Sequence, residues 1–537
     1  MTAADRYPRY RAPRTNRQVL CVPPWSTLSP KILSPNNTRF ALDNSTIEIS
    51  GRPLTELARE ARQTLLADAH NYTQSYVDTA ALIVDENRPL VMTGHQPELV
   101  HPGVWLKNFA ASQLAAHVGG TAVSLVIDND LCRIPAVRVP TGTAQQPRVV
   151  DVPFDQTLTA MPYEQRGIAD PATWNSFGER ATQMIAPLVP NPLLSPWWQE
   201  VVEASQRTSK LGLAIAQARH RLEHRWGNHS LEVPQSQVCQ SKPFLCFMSH
   251  LLLHAARLRQ DYNLALEQYR QFHRLRSAAQ PLPNLTEVEG WIETPFWIWT
   301  DQTPERRPLF AQPISSGLLL SDRHAWQQTV TAADLPEQLA KLSHQGIKLR
   351  TRALLTTLYA RLLIADTFIH GIGGAKYDQV TNLLCQKFFD VELPELVALS
   401  GTLHLPIEQT ATPAWGINEL RQELRALRYH PEQHLQTLGL DSSDQKTVDT
   451  WVLQKKQWVK TAKTPANASH RHRKIVAANQ ALQPWLESRR KKTEAQLATT
   501  LTQIRANQLL ESREYPFCLF PQELSKNFFL DFSRKMP

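Results

Sequence analysis

A chain of 537 residues with 42% hydrophobic and 20% charged side chains can bury roughly two to four domain-sized cores, which excludes disorder as its overall state. Its six cysteines show no CxxC spacing, which argues against a disulfide framework and fits a reducing cytoplasm. No apolar run approaches the roughly 20 residues of a membrane span, and no apolar stretch follows the N-terminal arginines as a secretory signal requires.

Residues 1–80 read as an irregular segment followed by a helix from Pro53 to Thr79. There Leu54, Leu57, Ala58, Ala61, Leu65 and Leu66 recur at helical spacing. Residues 81–197 read as the first part of a core. Ala81–Val84 and Leu90–Met92 are short apolar runs with β-branched members, and the second meets Thr93-Gly94. A helix begins near Val104. After Gly119-Gly120, a buried-type strand from Ala122 to Ile127 ends in Asp128-Asn129-Asp130. Strand, loop, helix, Gly-Gly and strand spell a βαβ unit with parallel strands. The proline-rich stretch 141–197 reads as long loops with short helices.

Residues 198–285 form a helical connecting region, with helices at Trp198–Arg225 and Lys242–Arg276 and Pro243 near the start of the second. Residues 286–406 read as the second part of the core. They hold strands at Ile292–Trp299 and Ile314–Leu320, a helix at Arg352–Leu362, a turn at Ile369–Gly374 and a helix at Lys376–Phe388. Residues 407–537 form a helical arm and a returning tail. Helices are predicted at Glu419–Arg428, Thr447–Val459 and His470–Leu510, the last broken at Pro484. Their sparse apolar stripes suit an antiparallel hairpin or a coiled-coil-like arm.

The net charge of +9 is unevenly placed. Trp451–Arg513 carries thirteen basic and three acidic residues, so this segment holds the whole excess. It is either the solvated face of long helices or a surface for a polyanion such as a nucleic acid. The weak apolar stripe also leaves a homo-oligomer open.

Three groups of residues carry chemistry. The stretch MTGHQPELVHPGVWLKN spans a strand end and a helix start, where unpaired N–H groups and a partial positive field attract anions. Gly94 and Gly103 would let backbone approach a phosphate. His95 and His101 could stabilise charge on a transferring phosphoryl group, and Lys107 could clamp it. The alternative is a proline-braced turn whose histidines cap backbone groups. Neither the Walker A pattern nor GxGxxG is present.

The second group is Asp128 and Asp130 at the end of a parallel strand. They could hold a substrate amine, ribose hydroxyls or Mg²⁺, or cap the next turn. The third, FIHGIGGAKYDQVT, places Gly371, Gly373 and Gly374 before Lys376 and Tyr377, with Asp366, His370 and Asp378 as polar members of the same pocket. It could equally be a tight strand-to-helix connection. Glu293 with Trp297 and Trp299 could line a substrate pocket or belong to the core. His250 and His254 are four apart but lack an acidic zinc ligand nearby, and neither HExxH nor GxSxG occurs.

TGHQPELVHPGVWLKN resembles the TGQQPG-type loop of the cysteine-adding enzyme of bacillithiol biosynthesis. LRTRALLTTLYARLLIADTFIHGIGGAKYDQVTNLL is similar to that family's arginine-rich, glycine-tyrosine region. The resemblance implies an α/β fold: a Rossmann-like parallel-sheet core, a helical connecting region and a C-terminal antiparallel helical or coiled-coil arm. It implies a ligase that condenses a small-molecule amine with a carboxylate such as cysteine, with ATP and Mg²⁺ as cofactors if the carboxylate is activated by a nucleotide.

By that resemblance Thr93, Gly94, His95 and Gln96 match the first loop. Asp128 and Asp130 match the acidic strand end, and Gly373, Gly374 and Tyr377 the later motif. His95 stands where the family has glutamine, and Lys376 breaks the usual glycine, acidic and tyrosine order, so a divergent relative is expected. The stretch His101-Pro102-Gly103-Val104 also resembles the HxGH motif of nucleotidylyltransferases without its second histidine. The readings are thus a cytoplasmic ligase on small-molecule substrates, a nucleotidylyltransferase on a sugar or small alcohol, or a nucleic-acid-binding protein using residues 451–513.

Overall fold

The computed structural model describes residues 8–34, 47–80, 82, 84–394, 396–408, 416–436 and 438–534. The apolar run Ala81–Val84 falls partly outside them. Two compact units emerge. One comprises Met1–Thr141, Val149–Pro406 and Arg513–Pro537, the other Gly142–Arg148 and Ile407–Ser512. Among the described residues no helix is long and apolar enough to cross a membrane.

In chain order the first unit opens with β1 (Val19–Val22) and α1 (Leu54–Gln74), whose Leu54, Leu57, Ala61, Leu65 and Leu66 are buried as their spacing predicts. Then come β2 (Leu90–His95), α2 (Pro102–His117) and β3 (Thr121–Val126), the predicted βαβ unit. The stretch 141–197, expected to be long loops with short helices, holds the 15-residue helix α3 (Pro171–Ile185). Asp170 caps it by accepting from Ala172 N and Thr173 N, and Pro171 occupies the first turn, where a missing N–H costs nothing.

Two further expectations divide. Trp198–Arg225 is α4 (Leu194–Arg207) and α5 (Leu211–Arg225), broken where Thr208 turns extended. After β4 (Leu231–Pro234), Lys242–Arg276 is α6 (Lys242–Leu253) and α7 (Ala255–His273), separated at His254.

Residues read as a continuation of the core then build a sheet of their own. It contains β5 (Trp291–Thr300), β6 (Arg307–Ile314), β7 (Gly317–Ser321), β8 (Gln327–Thr331) and β9 (Ile347–Thr351). All its named pairings are antiparallel, and β5 lies between β6 and β9. The predicted strand Ile314–Leu320 straddles the turn between β6 and β7. Helix α8 (Ala353–Tyr359) runs into a π-helical turn, Ala360–Ile364. Where a turn was expected, β10 (Thr367–His370) ends and α9 (Ile372–Phe389) begins; β11 (Leu396–Gly401) follows.

The core sheet has the order β1-β11-β10-β2-β3-β4. Only β1 is antiparallel. Counted along the chain, the five parallel strands lie in the order 3-2-1-4-5, and the direction of winding reverses between β2 and β10. Every residue of β3, β4, β10 and β11 is buried, as expected for parallel strands covered on both faces.

The second unit is helical. It contains α10 (Ile417–Tyr429), α11 (Ser442–Lys460), α12 (Ala468–Ala481) and α13 (Glu487–Leu510), with the expected break at Pro484. Leu427, Leu435, Val448, Leu482 and Leu486 form its small core. The chain then returns to the first unit as α14 (Gln522–Arg534). Its Phe529 stacks on Phe109 of α2, with ring centroids 4.3 Å apart and planes 5° from parallel.

Candidate active site

In open parallel sheets, ligands bind beyond the carboxyl ends of the strands, at the point where the winding reverses. A cavity of about 280 Å³ lies there. Gly94, His95 and Gln96 reach it from the end of β2, Asn129 and Asp130 from the segment after β3, and His370 and Tyr377 from β10 and α9.

The opposite wall comes from the antiparallel sheet, and strand register explains it. Trp297 on β5 opposes Pro308 on one neighbouring strand and Arg350 on the other. Two residues from those partners, just off the strand ends, stand Arg306 and Arg352, within reach of the diagonal position. Their guanidinium carbons lie 4.5 and 4.3 Å from the Trp297 ring centre. Each has one carboxylate: Arg306 donates to Asp130 at 3.1 Å, and Arg352 to Glu293 at 2.8 Å. Burial holds the Arg306 value below the usual arginine range against the opposing pull of Asp130, with Arg133 and Arg352 adding to the lowering.

Asp130 also accepts from Gln96 Nε2 at 3.0 Å and from Leu131 N at 2.8 Å. It is therefore a fixed acceptor at the cavity rim. Tyr377 lies in the lining, and burial, then Asp378 and Asp130, push its phenol up to about 12, so it is a donor at neutral pH.

The two lining histidines differ. Arginine can only donate, so the 2.7 Å contact from Arg219 makes His95 Nε2 an acceptor and leaves Nδ1–H to donate to Gln96 O at 2.9 Å. Both ring nitrogens are spent. Burial, followed by Arg219 and Lys107, keeps this ring neutral. His370 instead sets Nε2 against Asp378 Oδ2 at 3.0 Å, off the ideal hydrogen-bond line. Burial would raise Asp378, but Arg361 and His370 hold it well below the ordinary carboxylate range. Arg361 donates to it at 2.8 Å from the π-helical turn, and Thr357 Oγ1 at 2.7 Å from α8. This fixed carboxylate leaves His370 Nδ1 as the open position of a His–Asp pair. Burial, ahead of the opposing pull of Asp378, lowers His370 and favours the neutral ring.

The remaining predicted residues lie outside this lining. Thr93 donates to Ile369 O at 2.9 Å and ties β2 to β10. His101 caps α2, its Nδ1 accepting from Gly103 N at 3.1 Å, and burial with nearby Arg513 lowers it to about 3. A side chain at Gly103 would meet Gly401 O at 2.0 Å, so that glycine admits β11 rather than open space. Lys107 Nζ donates to Gly94 O at 2.8 Å, and burial, reinforced by Arg219, lowers it to about 7.

Asp128 accepts from Ser236 N at 2.8 Å and from Ser236 Oγ at 2.5 Å; burial, then Glu164, raises it to about 7. A Cβ on Gly374 would meet His370 Nδ1 at 2.8 Å, whereas Gly373 faces open space and Lys376 is exposed. Asp366 sits at the other end of β10, paired with Arg62 and with Leu90 N.

A second buried group, His220, Glu223 and Glu232, brings three atoms that could ligate a metal within 4.8 Å of one another. Arg219 pairs with both glutamates, and Trp105, Asn108 and Asn228 also donate to Glu223. A cation there would have to displace the guanidinium. Arg219 links this group to His95, and so to the cavity.

Sequence reading had not singled out Arg306, Arg352 or Arg219 as site residues. The alternation Arg350-x-Arg352 at a strand end was the available signal for Arg352; Arg306 had none, since its role depends on sheet pairing. The chain matches no family model and no curated protein.

Proposed function

We propose that this chain is an enzyme with a Rossmann-like core that joins an amine to the acyl group of a small carboxylic acid. The single observation that carries this reading is the opposition of two kinds of group across one cavity: the Arg306–Trp297–Arg352 row on one wall and the His370–Asp378 pair on the other. The guanidinium row holds the anionic substrate, since arginine matches carboxylate and phosphate geometry. Asp130 and Tyr377 orient the amine. His370 Nδ1 accepts the proton that the amine loses as its nitrogen attacks the acyl carbon, and Asp378 stabilises the imidazolium that results. The C–N bond forms as the bond from the acyl carbon to an anionic leaving group such as phosphate breaks, and that group departs with the bonding pair as an anion held by Arg306 and Arg352.

A cavity of about 280 Å³ limits the reactants to small molecules. The nucleotidyl-transfer reading is weaker, because His101 spends its Nδ1 on the α2 cap.

The test is to incubate the protein with a metabolite extract, with and without ATP and Mg²⁺, and to identify products by mass spectrometry. An amide product formed by the wild type, and slowed about 10²- to 10⁴-fold in His370→Gln, is expected. Because burial lowers His370, the acid limb of the rate should fall below the ordinary histidine value of about 6.5. Release of pyrophosphate with no amide would contradict the proposal, as would a His370→Gln rate equal to the wild type.

A further inference from the structure

The basic excess of the sequence does not survive evenly in the structure. Of the four consecutive cations on α13, Arg489 pairs with Glu423, Arg490 with Glu494 and Lys491 with Glu487, all within 2.9 Å. The hairpin of α11 and α12 is different. From Thr450 to Leu486 there is no aspartate or glutamate, but there are seven lysines and arginines.

Two of the seven are used internally. Lys455 is buried against Glu432 and Tyr429 O, and Arg471 fastens the connecting turn through Val459 O and Thr461 O. The other five, Lys456, Lys460, Lys463, Arg473 and Lys474, are exposed, and none forms an ion pair among the described residues.

Their placement works against the fold. Cations in the first turns of a helix oppose its dipole, and α12 has no acidic residue in its first turn to compensate. The charges are also regularly spaced. Lys456 and Lys460 are four apart on α11, hence one helical turn apart on one face. Trp458 and His470, rings 5.1 Å apart, join the two helices beside them. The apolar residues Val448, Trp451 and Val452 are spent on the unit's own core, and the exposed Leu453 and Val459 are six residues apart, about 120° round the helix from each other, so α11 offers no continuous apolar stripe to insert into lipid.

We propose that the tip of the α11–α12 hairpin binds the phosphodiester backbone of a nucleic acid. The five unpaired cations neutralise successive phosphates. The Trp458–His470 pair lies where an unstacked base would meet an aromatic edge.

The test uses the full chain and fluorescence anisotropy with a labelled single-stranded RNA of about 20 nucleotides, a DNA duplex of the same sequence, and phosphatidylserine vesicles, over about 50 to about 200 mM salt. Five phosphate contacts give a slope of log K against log salt of about −4.5 on duplex and about −3.5 on a single strand. The combined variant Lys456→Glu, Lys460→Glu, Arg473→Glu and Lys474→Glu should weaken binding at least about tenfold and flatten that slope. Arg490→Gln with Lys491→Gln, which removes charges already paired, should leave binding within about twofold. RNA binding and duplex binding each support the proposal and tell the two sources apart. No binding at the lowest salt, unchanged binding in the charge-reversed variant, or binding to vesicles alone overturns it.

Discussion

The cavity at the strand ends and the tip of the helical hairpin are both rich in cations, and they treat them in opposite ways. Around the cavity Arg219, Arg306, Arg352 and Arg361 are each anchored to at least one carboxylate. On the hairpin five cations stand in water without one. Away from water an unpaired charge costs several kcal/mol, so the buried guanidiniums must be fixed by partners, and fixing gives them direction. In water the cost is absent, and unpaired charges act through their summed field. The same residue type therefore supplies geometry in one region and attraction in the other.

The largest effect should come from breaking a buried partnership. Asp378→Ala leaves Arg361 and His370 facing each other without their shared carboxylate, and should cost about 3 to 5 kcal/mol of unfolding free energy in urea titration. A loss under about 1 kcal/mol would mean that Arg361 is held by its other acceptors, Asn382 and Pro394 O.

Gly103→Ala sharpens the comparison from the backbone side. Its Cβ would meet Gly401 O, and the resulting shift of α2 from β11 should cost about 1 to 3 kcal/mol. A neutral result would show that the contact can open, and that an anion could approach the α2 N-terminus after all.

Lys107 is the exception that tests the rule, because it donates to the carbonyl of Gly94 and not to a carboxylate. Its folded value near 7 lies below the ordinary lysine value of about 10.4, so the unfolded chain holds more protons between these limits. The penalty is full below pH 7 and fades as pH rises toward 10.4. Lys107→Met should therefore stabilise the protein by about 1 to 2 kcal/mol near pH 6, with the gain closing by about pH 10. Thermal unfolding of both proteins across that range is the check, and a gain that grows with pH would reverse the assignment.

The smallest effect is expected at Gly373. Nothing lies within 4 Å of its Cβ position, so Gly373→Ala should change stability by less than about 1 kcal/mol, in the favourable direction. Activity lost without any loss of stability would place a ligand against the start of α9.

The parts of the fold legible in sequence were those with local cause. The βαβ unit follows from two apolar runs around a helix that begins at Pro102, and the broken C-terminal helix from Pro484. Helix α3 has no bounds in the sequence reading because its stretch holds many prolines and few periodic runs, although Asp170 caps it and Pro171 stands in its first turn. The breaks at Thr208 and His254 interrupt periodicity too briefly to read.

At the site, Gly94, His95, Gln96, Asp130, His370 and Tyr377 were legible because strand ends and glycine-rich turns mark themselves. That Asp128 and Asp130 part company was not, since the chain turns between them and Ser236, over a hundred residues away, takes both oxygens of the first. Arg306 and Arg352 depend on the pairing of three strands, which no local pattern records.

The most direct test of the cavity's role is calorimetric titration of the wild type and of Arg352→Met with a panel of small carboxylic acids, amino acids and their amines. At least one carboxylate should bind the wild type and lose about tenfold or more in affinity in Arg352→Met, while free amines bind both proteins alike. A carboxylate that binds the two proteins equally, or a panel in which only free amines bind, would contradict the assignment of the guanidinium row as the anion-holding wall.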